Sequence, residues 1–252
     1  MRVLTDGLRL AVGTLTVLPV PAPRQVTRPV AAVAMATAPI AVLPVAAAAA
    51  AVVWAGDSLQ LPALVTATLS VGVLALATGG LHLDGLADTA DGLATHGSPE
   101  RRLEVMRRGD VGPSGATALL LVLLTQVGAL SGLIAEHGAG VAPTALVVSV
   151  FVSRAVLALA CVRGVPAARQ DGLGTAVAGT VPPLAAILVA AVATVVAGGC
   201  HGWSGLAGVL VAAGAVALML LQCRRKLGGV TGDVLGACVE VALAAYVVAQ
   251  VA

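Results

Sequence analysis

The sequence predicts an all-α, polytopic membrane bundle of about seven transmembrane helices, preceded by an interfacial amino-terminal helix, in a single domain over residues 1–252. Three observations lead there. Of 252 residues, 59% are hydrophobic and 10% charged, with a mean hydropathy of +1.02, too apolar for the chain to form the surface of a soluble domain. Apolar runs close to the roughly 20 residues that cross a bilayer core recur along the chain. The basic residues outside those runs fall only in alternate connecting segments.

The elements follow in order. Residues 1–20 carry Arg2, Asp6 and Arg9, then a short apolar run ending at Pro19, Pro21 and Pro23. A signal peptide needs a longer apolar core and a small-residue cleavage site, so this segment is expected to stay and to lie on the membrane as a helix. Spans are expected at about 29–54, 61–80, 115–134, 143–161, 180–198, 204–222 and 231–252. The first contains Pro39 and Pro44, which bend a membrane helix without abolishing it. The last carries two acids, Asp233 and Glu240.

Charge sets the orientation. Arg2, Arg9, Arg24 and Arg28 precede the first span; Arg101, Arg102, Arg107 and Arg108 follow the second; Arg163 and Arg169 follow the fourth; Arg224, Arg225 and Lys226 follow the sixth. Only Arg154 lies within a span, and the intervening loops near Gly56, Glu136 and His201 hold no Lys or Arg. The positive-inside rule therefore places the basic segments in the cytoplasm, and the protein in the cytoplasmic (inner) membrane. An error of one span would break this alternation.

Composition also excludes partners. A net charge of +2 and an aromatic content of 2% offer neither a basic face nor stacking platforms for nucleic acid. Cys161, Cys200, Cys223 and Cys238 show no CxxC spacing and read as packing residues. The bilayer is the one partner composition requires. Self-association into a homo-oligomer is left open.

After the second span comes Leu81-His82-Leu83-Asp84-Gly85-Leu86-Ala87-Asp88-Thr89-Ala90-Asp91-Gly92, with three acids in an otherwise acid-poor chain. On a helix at about 100° per residue, Asp84, Asp88 and Asp91 fall at roughly 0°, 40° and −20°, so their carboxylates share a narrow arc. Three anions this close repel one another. A divalent cation is the usual reason to tolerate them, and hard oxygen donors suit Mg2+ shared with substrate phosphates. His82 lies roughly 160° from Asp84 and is expected at the fringe, as a hydrogen-bonding residue. His96, His137 and His201 are isolated in loops.

A second acidic element opens the last span: Gly228-Gly229-Val230-Thr231-Gly232-Asp233, with Glu240 on the same helix face. Acids inside a membrane span are costly and face the bundle interior, which makes Asp233 a functional candidate. Gly228, Gly232 and Gly236 form an i+4 stripe suited to close helix contact, or to phosphate approach at a helix start. Arg101, Arg102, Arg107 and Arg108 serve either phosphate binding or topology alone. Arg154, inside a span, is expected to pair with a carboxylate or a bound phosphate.

These residues resemble the cobalamin synthase (adenosylcobinamide-GDP ribazoletransferase) family over nearly the whole chain. The likeness runs through Leu15-Thr16-Val17-Leu18-Pro19-Val20-Pro21, the His82-to-Leu93 segment, the arginine loop with Gly112 and Gly115, Ser153-Arg154, Gly172-Leu173-Gly174, and Gly228-to-Asp233 with Glu240. Arg108 and Leu243 stand where many members carry acids. The resemblance implies a Mg2+-dependent phosphotransferase. In its reaction the ribose 3′-hydroxyl of α-ribazole, or of α-ribazole 5′-phosphate, attacks the cobinamide-linked phosphate of adenosylcobinamide-GDP and GMP leaves. Asp84, Asp88 and Asp91 are then the expected metal ligands, and Asp88, Asp91 and Asp233 the catalytic candidates, with the general base undecided among them. Substrate binding is expected of His82, Arg101, Arg102, Arg107, Arg108, Arg154, Gly229 and Thr231.

Two other functions share some of these features. A CDP-alcohol phosphotransferase also clusters aspartates on membrane helices, but its arginine after Asp-Gly-x-x-Ala is Asp88 here. A cation-coupled transporter would want acids near the membrane centre with access from both sides. Here the polar residues gather at one face.

Overall fold

The computed structural model describes residues 1–252 and is helical throughout, with no β-strand. Its elements are α1 (Arg2–Leu15), α2 (Arg28–Ala41), α3 (Leu43–Ser58), α4 (Ala63–Ala77) and α5 (Leu81–Ala94), then α6 (Pro99–Val105), α7 (Pro113–Ala160), α8 (Gly172–Val177), α9 (Pro183–Leu227) and α10 (Gly232–Val248). Two isolated bridges, Val162–Val181 and Ala167–Val230, tie the α7–α9 connection back on itself and to the start of α10.

The expected bend in the first span is present. Pro44 has no N–H and its ring collides with the carbonyl four residues back, so the helix breaks at Val42 between α2 and α3. Two much longer helices are each interrupted by one glycine in a left-handed conformation, Gly138 (φ 54°) in α7 and Gly202 (φ 58°) in α9. At Gly138 the chain doubles back. Gln126 and Arg154 line one small cavity together with Glu240, whereas a straight helix would hold them about 40 Å apart. At Gly202 the reversal brings Leu206 against Gly198.

Three stretches are long and apolar enough to cross a membrane, Arg28–Ser58, Pro113–Ala160 and Pro183–Leu227, and the α4–α5 pair, bent by 89°, makes a fourth when taken together. Large apolar side chains such as Leu188, Val195, Leu210 and Leu218 project outward from α9. Trp54 and Trp203 are exposed at the end away from the basic segments, where aromatic side chains sit in a membrane interface. Helix α1 is 14 residues long. It packs along α2, with Gly7 pressed against Val33.

Helix α10 packs against α5, α7 and α9. Small buried residues, Ala237, Cys238 and Ala242, allow the close approach. The glycine stripe divides: Gly228 (φ 84°) terminates α9, while Gly236 takes the backbone of His82 on α5. On the facing side, a Cβ at Gly85 would lie 2.6 Å from the Asp233 carbonyl oxygen. Helix α5 starts after two left-handed glycines, Gly79 and Gly80, and turns 89° away from α4 across the basic end of the bundle. Its last carbonyls are held by cations: Arg102 donates to Gly92 and Leu93, and Lys226 to Leu93.

At the 85–236 crossing both surfaces are backbone and have no flexible side chain to move aside. Gly85→Ala is expected to cost about 1–3 kcal/mol. The expected result is a lower thermal midpoint in detergent; an unchanged midpoint would show that the crossing can open.

Candidate active site

The α5–α10 crossing places one edge of a cavity of about 200 Å³. Its polar wall holds His82 and Asp84 from α5, Thr231 and Asp233 from α10, and Arg169 and Asp171 from the α7–α8 connection. Leu15 of α1, Met35 of α2, Leu157 of α7 and Leu173 of α8 form the apolar wall. One side of the cavity is charged and the other suits an apolar ring.

Thr231 is the N-cap of α10. Its hydroxyl accepts from the Val234 amide (3.2 Å) and donates to the Asp233 carboxylate (3.1 Å), which sets that side chain's direction. Arg169 reaches the same carboxylate at 3.5 Å and is anchored by donating to the Leu103 carbonyl. Asp88 lies one turn beyond Asp84 and is buried behind the cavity rim. Burial first, and then the charges of Asp84 and Asp233, push its carboxyl up to about 6, with Arg169 acting the other way. His82 is buried against the cavity, and neither ring nitrogen has a partner within the protein.

Asp91 has another task. Its two carboxylate oxygens accept the amides of Gly112 (2.7 Å) and Gly115 (2.9 Å), so it caps the amino terminus of α7. Any side chain at either glycine would collide with it. The shared arc of the three aspartates is therefore divided by its neighbours: Asp84 faces the cavity, Asp88 sits between, and Asp91 is tied to α7. No three carboxylate, imidazole or thiol groups converge on a single point. What does converge is a pair of cavity carboxylates, Asp84 and Asp233, with Asp88 behind them and one arginine to offset them. Such a donor set fits Mg2+, which takes one or two carboxylates and fills its remaining positions with water and phosphate oxygens.

The other expected substrate residues are dispersed. Arg101 pairs with Glu104 at 2.6 Å in solvent. Arg102 is spent on the α5 carbonyls. One guanidinium nitrogen of Arg107, Nη2, donates to both Asp171 carboxylate oxygens, 2.9 Å to each, at the rim of the cavity. Arg108 lines a separate cleft with Asp91, Asp110 and Ser114. Arg154 is wholly buried, donates to Ser153 (2.8 Å), and shares a tiny cavity with Gln126 and Glu240; it does not line the acidic cavity. The expected carboxylate partner is not in ion-pair contact: Glu240 lines the same small cavity, and its carboxylate accepts from Gln126 at 2.8 Å. Gly229 does not line the cavity either, because it lets the chain pass against Pro166 and Ala168. Arg169 and Asp171 are the site residues that sequence reasoning missed. Their only signal was the adjacent Gly172-Leu173-Gly174, whose Gly174 packs on the Thr231 backbone.

Fold and cavity together define an all-α membrane protein with an anionic site at the basic end of its bundle. The chain belongs to the cobalamin-5-phosphate synthase family, whose pattern it matches over residues 7–251. An adenosylcobinamide-GDP ribazoletransferase of Nocardioides sp. is 43% identical over 249 residues, covering 98% of this chain and 99% of the relative. The Frankia casuarinae protein of the same name is 39% identical over 94% of this chain and 91% of its own length. An Escherichia coli one is 39% identical over 74% and 72%. No solved structure matches.

The raised Asp88 pKa has a definite sign. The folded protein holds this proton more tightly than the unfolded chain, whose carboxyl titrates near ~3.9. The associated stability is complete below that value and is lost as pH rises through about 6. In divalent-free buffer, Asp88→Asn is expected to melt higher than wild type at about pH 7.5 and equal to it at about pH 4. Melting below wild type at the higher pH would contradict the assignment.

Proposed function

We propose that the chain is a Mg2+-dependent adenosylcobinamide-GDP ribazoletransferase. It transfers the adenosylcobinamide phosphate moiety to α-ribazole or α-ribazole 5′-phosphate, giving adenosylcobalamin or its 5′-phosphate and GMP. The observation that carries this reading is the meeting of Asp84, Asp233 and Arg169 in one cavity, within a chain of this family. Phosphoryl transfer needs positioning and charge compensation more than covalent chemistry from the protein.

Asp84, with Asp88 behind it, would hold the magnesium ion, which when bound would offset the charge of the diphosphate and of the departing nucleotide, leaving Asp233 free. Arg169, anchored to the Leu103 carbonyl, is placed to grip a phosphate oxygen. Asp233 would take the proton from the attacking ribose hydroxyl, a role supported by its position on the cavity wall and by the Thr231 hydrogen bond that fixes its direction. The new oxygen–phosphorus bond forms as the bond to the GMP oxygen breaks. His82, lacking a protein partner, can hydrogen-bond to substrate from the buried side. Leu15, Met35 and Leu173 supply an apolar wall for the ribazole base.

We also infer seven crossings: α2 with α3, α4, the two parts of α7, the two parts of α9, and α10. The charge asymmetry and the reversals at Gly138 and Gly202 support this count. The basic segments and the cavity then face the cytoplasm across the inner membrane.

Protein in liposomes, given adenosylcobinamide-GDP, α-ribazole and Mg2+, is expected to release GMP and cobalamin in equal amounts. EDTA should abolish turnover, and Asp233→Asn should lower kcat by at least about a hundredfold with the fold intact. No turnover by folded wild type with either form of ribazole would overturn the assignment.

The native cysteines test the topology. Cys161, Cys223 and Cys238 are buried, and Cys200 is exposed beside the Gly202 reversal. A membrane-impermeant maleimide should label Cys200 from the outer face of spheroplasts and not in sealed inverted vesicles. The opposite pattern would invert the orientation.

A further inference from the structure

A second opening lies on the other side of α2 from the acidic cavity. It is a shallow groove of about 400 Å³ between α2 and the start of α9, walled by Ala32, Val33 and Ala36 on one side and Ala185 on the other. Arg28 and Arg163, from segments far apart in sequence, both border it, and no acidic residue does.

Neither arginine is neutralised within the protein, since each stands more than 4.0 Å from every carboxylate, and both are exposed. The Arg28 side chain and the Arg163 backbone are nevertheless held in place. The Arg28 guanidinium donates to the Gly179 carbonyl (2.9 Å), while the Arg163 amide donates to the Val181 carbonyl (2.9 Å), so the two cations flank residues 179–181. Charge asymmetry along the chain puts both at one membrane face. The groove wall is made of small apolar side chains on helices that belong to membrane-spanning stretches. A water-soluble anion gains nothing from such a wall; an acyl chain beneath a phosphate does.

We propose that this groove binds an anionic phospholipid, its phosphodiester between Arg28 and Arg163 and one acyl chain along Ala32, Val33 and Ala36. Occupancy bears on the acidic cavity. The groove is bordered by Arg163 and Thr180, and the segment between them carries Arg169 and Asp171 to the cavity wall. A lipid bridging Arg28 to Arg163 braces that wall from behind.

The test is photo-crosslinking in phosphatidylcholine nanodiscs containing a trace of photoactivatable phosphatidylglycerol, with labelled peptides mapped by mass spectrometry. Wild type should be labelled at the start of α2 and the start of α9. Arg28→Gln with Arg163→Gln should lose labelling there roughly tenfold, whereas the double lysine variant should keep it. Equal labelling of the double glutamine variant would overturn the proposal. So would displacement by millimolar inorganic phosphate, which would reduce the site to a simple anion contact. Should the glutamine variant fail to fold, competition on wild type decides: unlabelled phosphatidylglycerol must displace the probe far better than phosphatidylcholine, and equal competition refutes the lipid site.

Discussion

Everything near the proposed site depends on how closely α5 and α10 pass. Gly85 faces the backbone of Asp233 and Gly236 faces that of His82, so two helices meet with no side chain between them. That approach brings Asp84 beside Asp233 and leaves Asp88 behind both. A methyl group at the crossing would push the carboxylates apart as well as loosen the bundle. The residues that pack this region are therefore inseparable from those proposed to react.

The surrounding structure aims this crossing. Two left-handed glycines turn the chain out of α4 and across the end of the bundle, and cations from α6 and α9 hold the far end of α5 by its free carbonyls. Asp91 holds the amino terminus of α7 through two amides, where a negative charge is favoured by the helix dipole. Repulsion among the acids of α5 is thus relieved in two ways. One acid is absorbed by a helix terminus, and the others keep a cavity with a single arginine, which leaves a demand for positive charge.

Within the apolar part of the bundle a second polar group works differently. Arg154, Gln126 and Glu240 line a space of about 10 Å³, too small to admit substrate, and Arg154 donates to the neighbouring Ser153. Polar side chains at such depth are expensive unless they satisfy one another. Here the Gln126–Glu240 hydrogen bond joins the first part of α7 to α10, and Arg154 on the second part lines the same space. In a core built mainly of alanine, valine and glycine, where many helix registers would pack about equally well, such a group selects one.

Much of this was legible in the sequence. Hydropathy and alternating charge determined an all-helical membrane chain and its basic face, because lipid forces both the apolar runs and the placement of arginines. The period of Asp84, Asp88 and Asp91 on one helix was equally readable, as was Asp233 at a helix start. Only the tertiary structure decided what those residues meet. It assigned Asp91 to α7, Arg154 to Ser153, Arg102 to backbone carbonyls, and brought Arg169 and Asp171 into the cavity from a segment with little periodic pattern. Spacing along a helix sets the direction of a side chain, but its partner arrives from another part of the chain, and that encounter depends on where glycines let backbones touch.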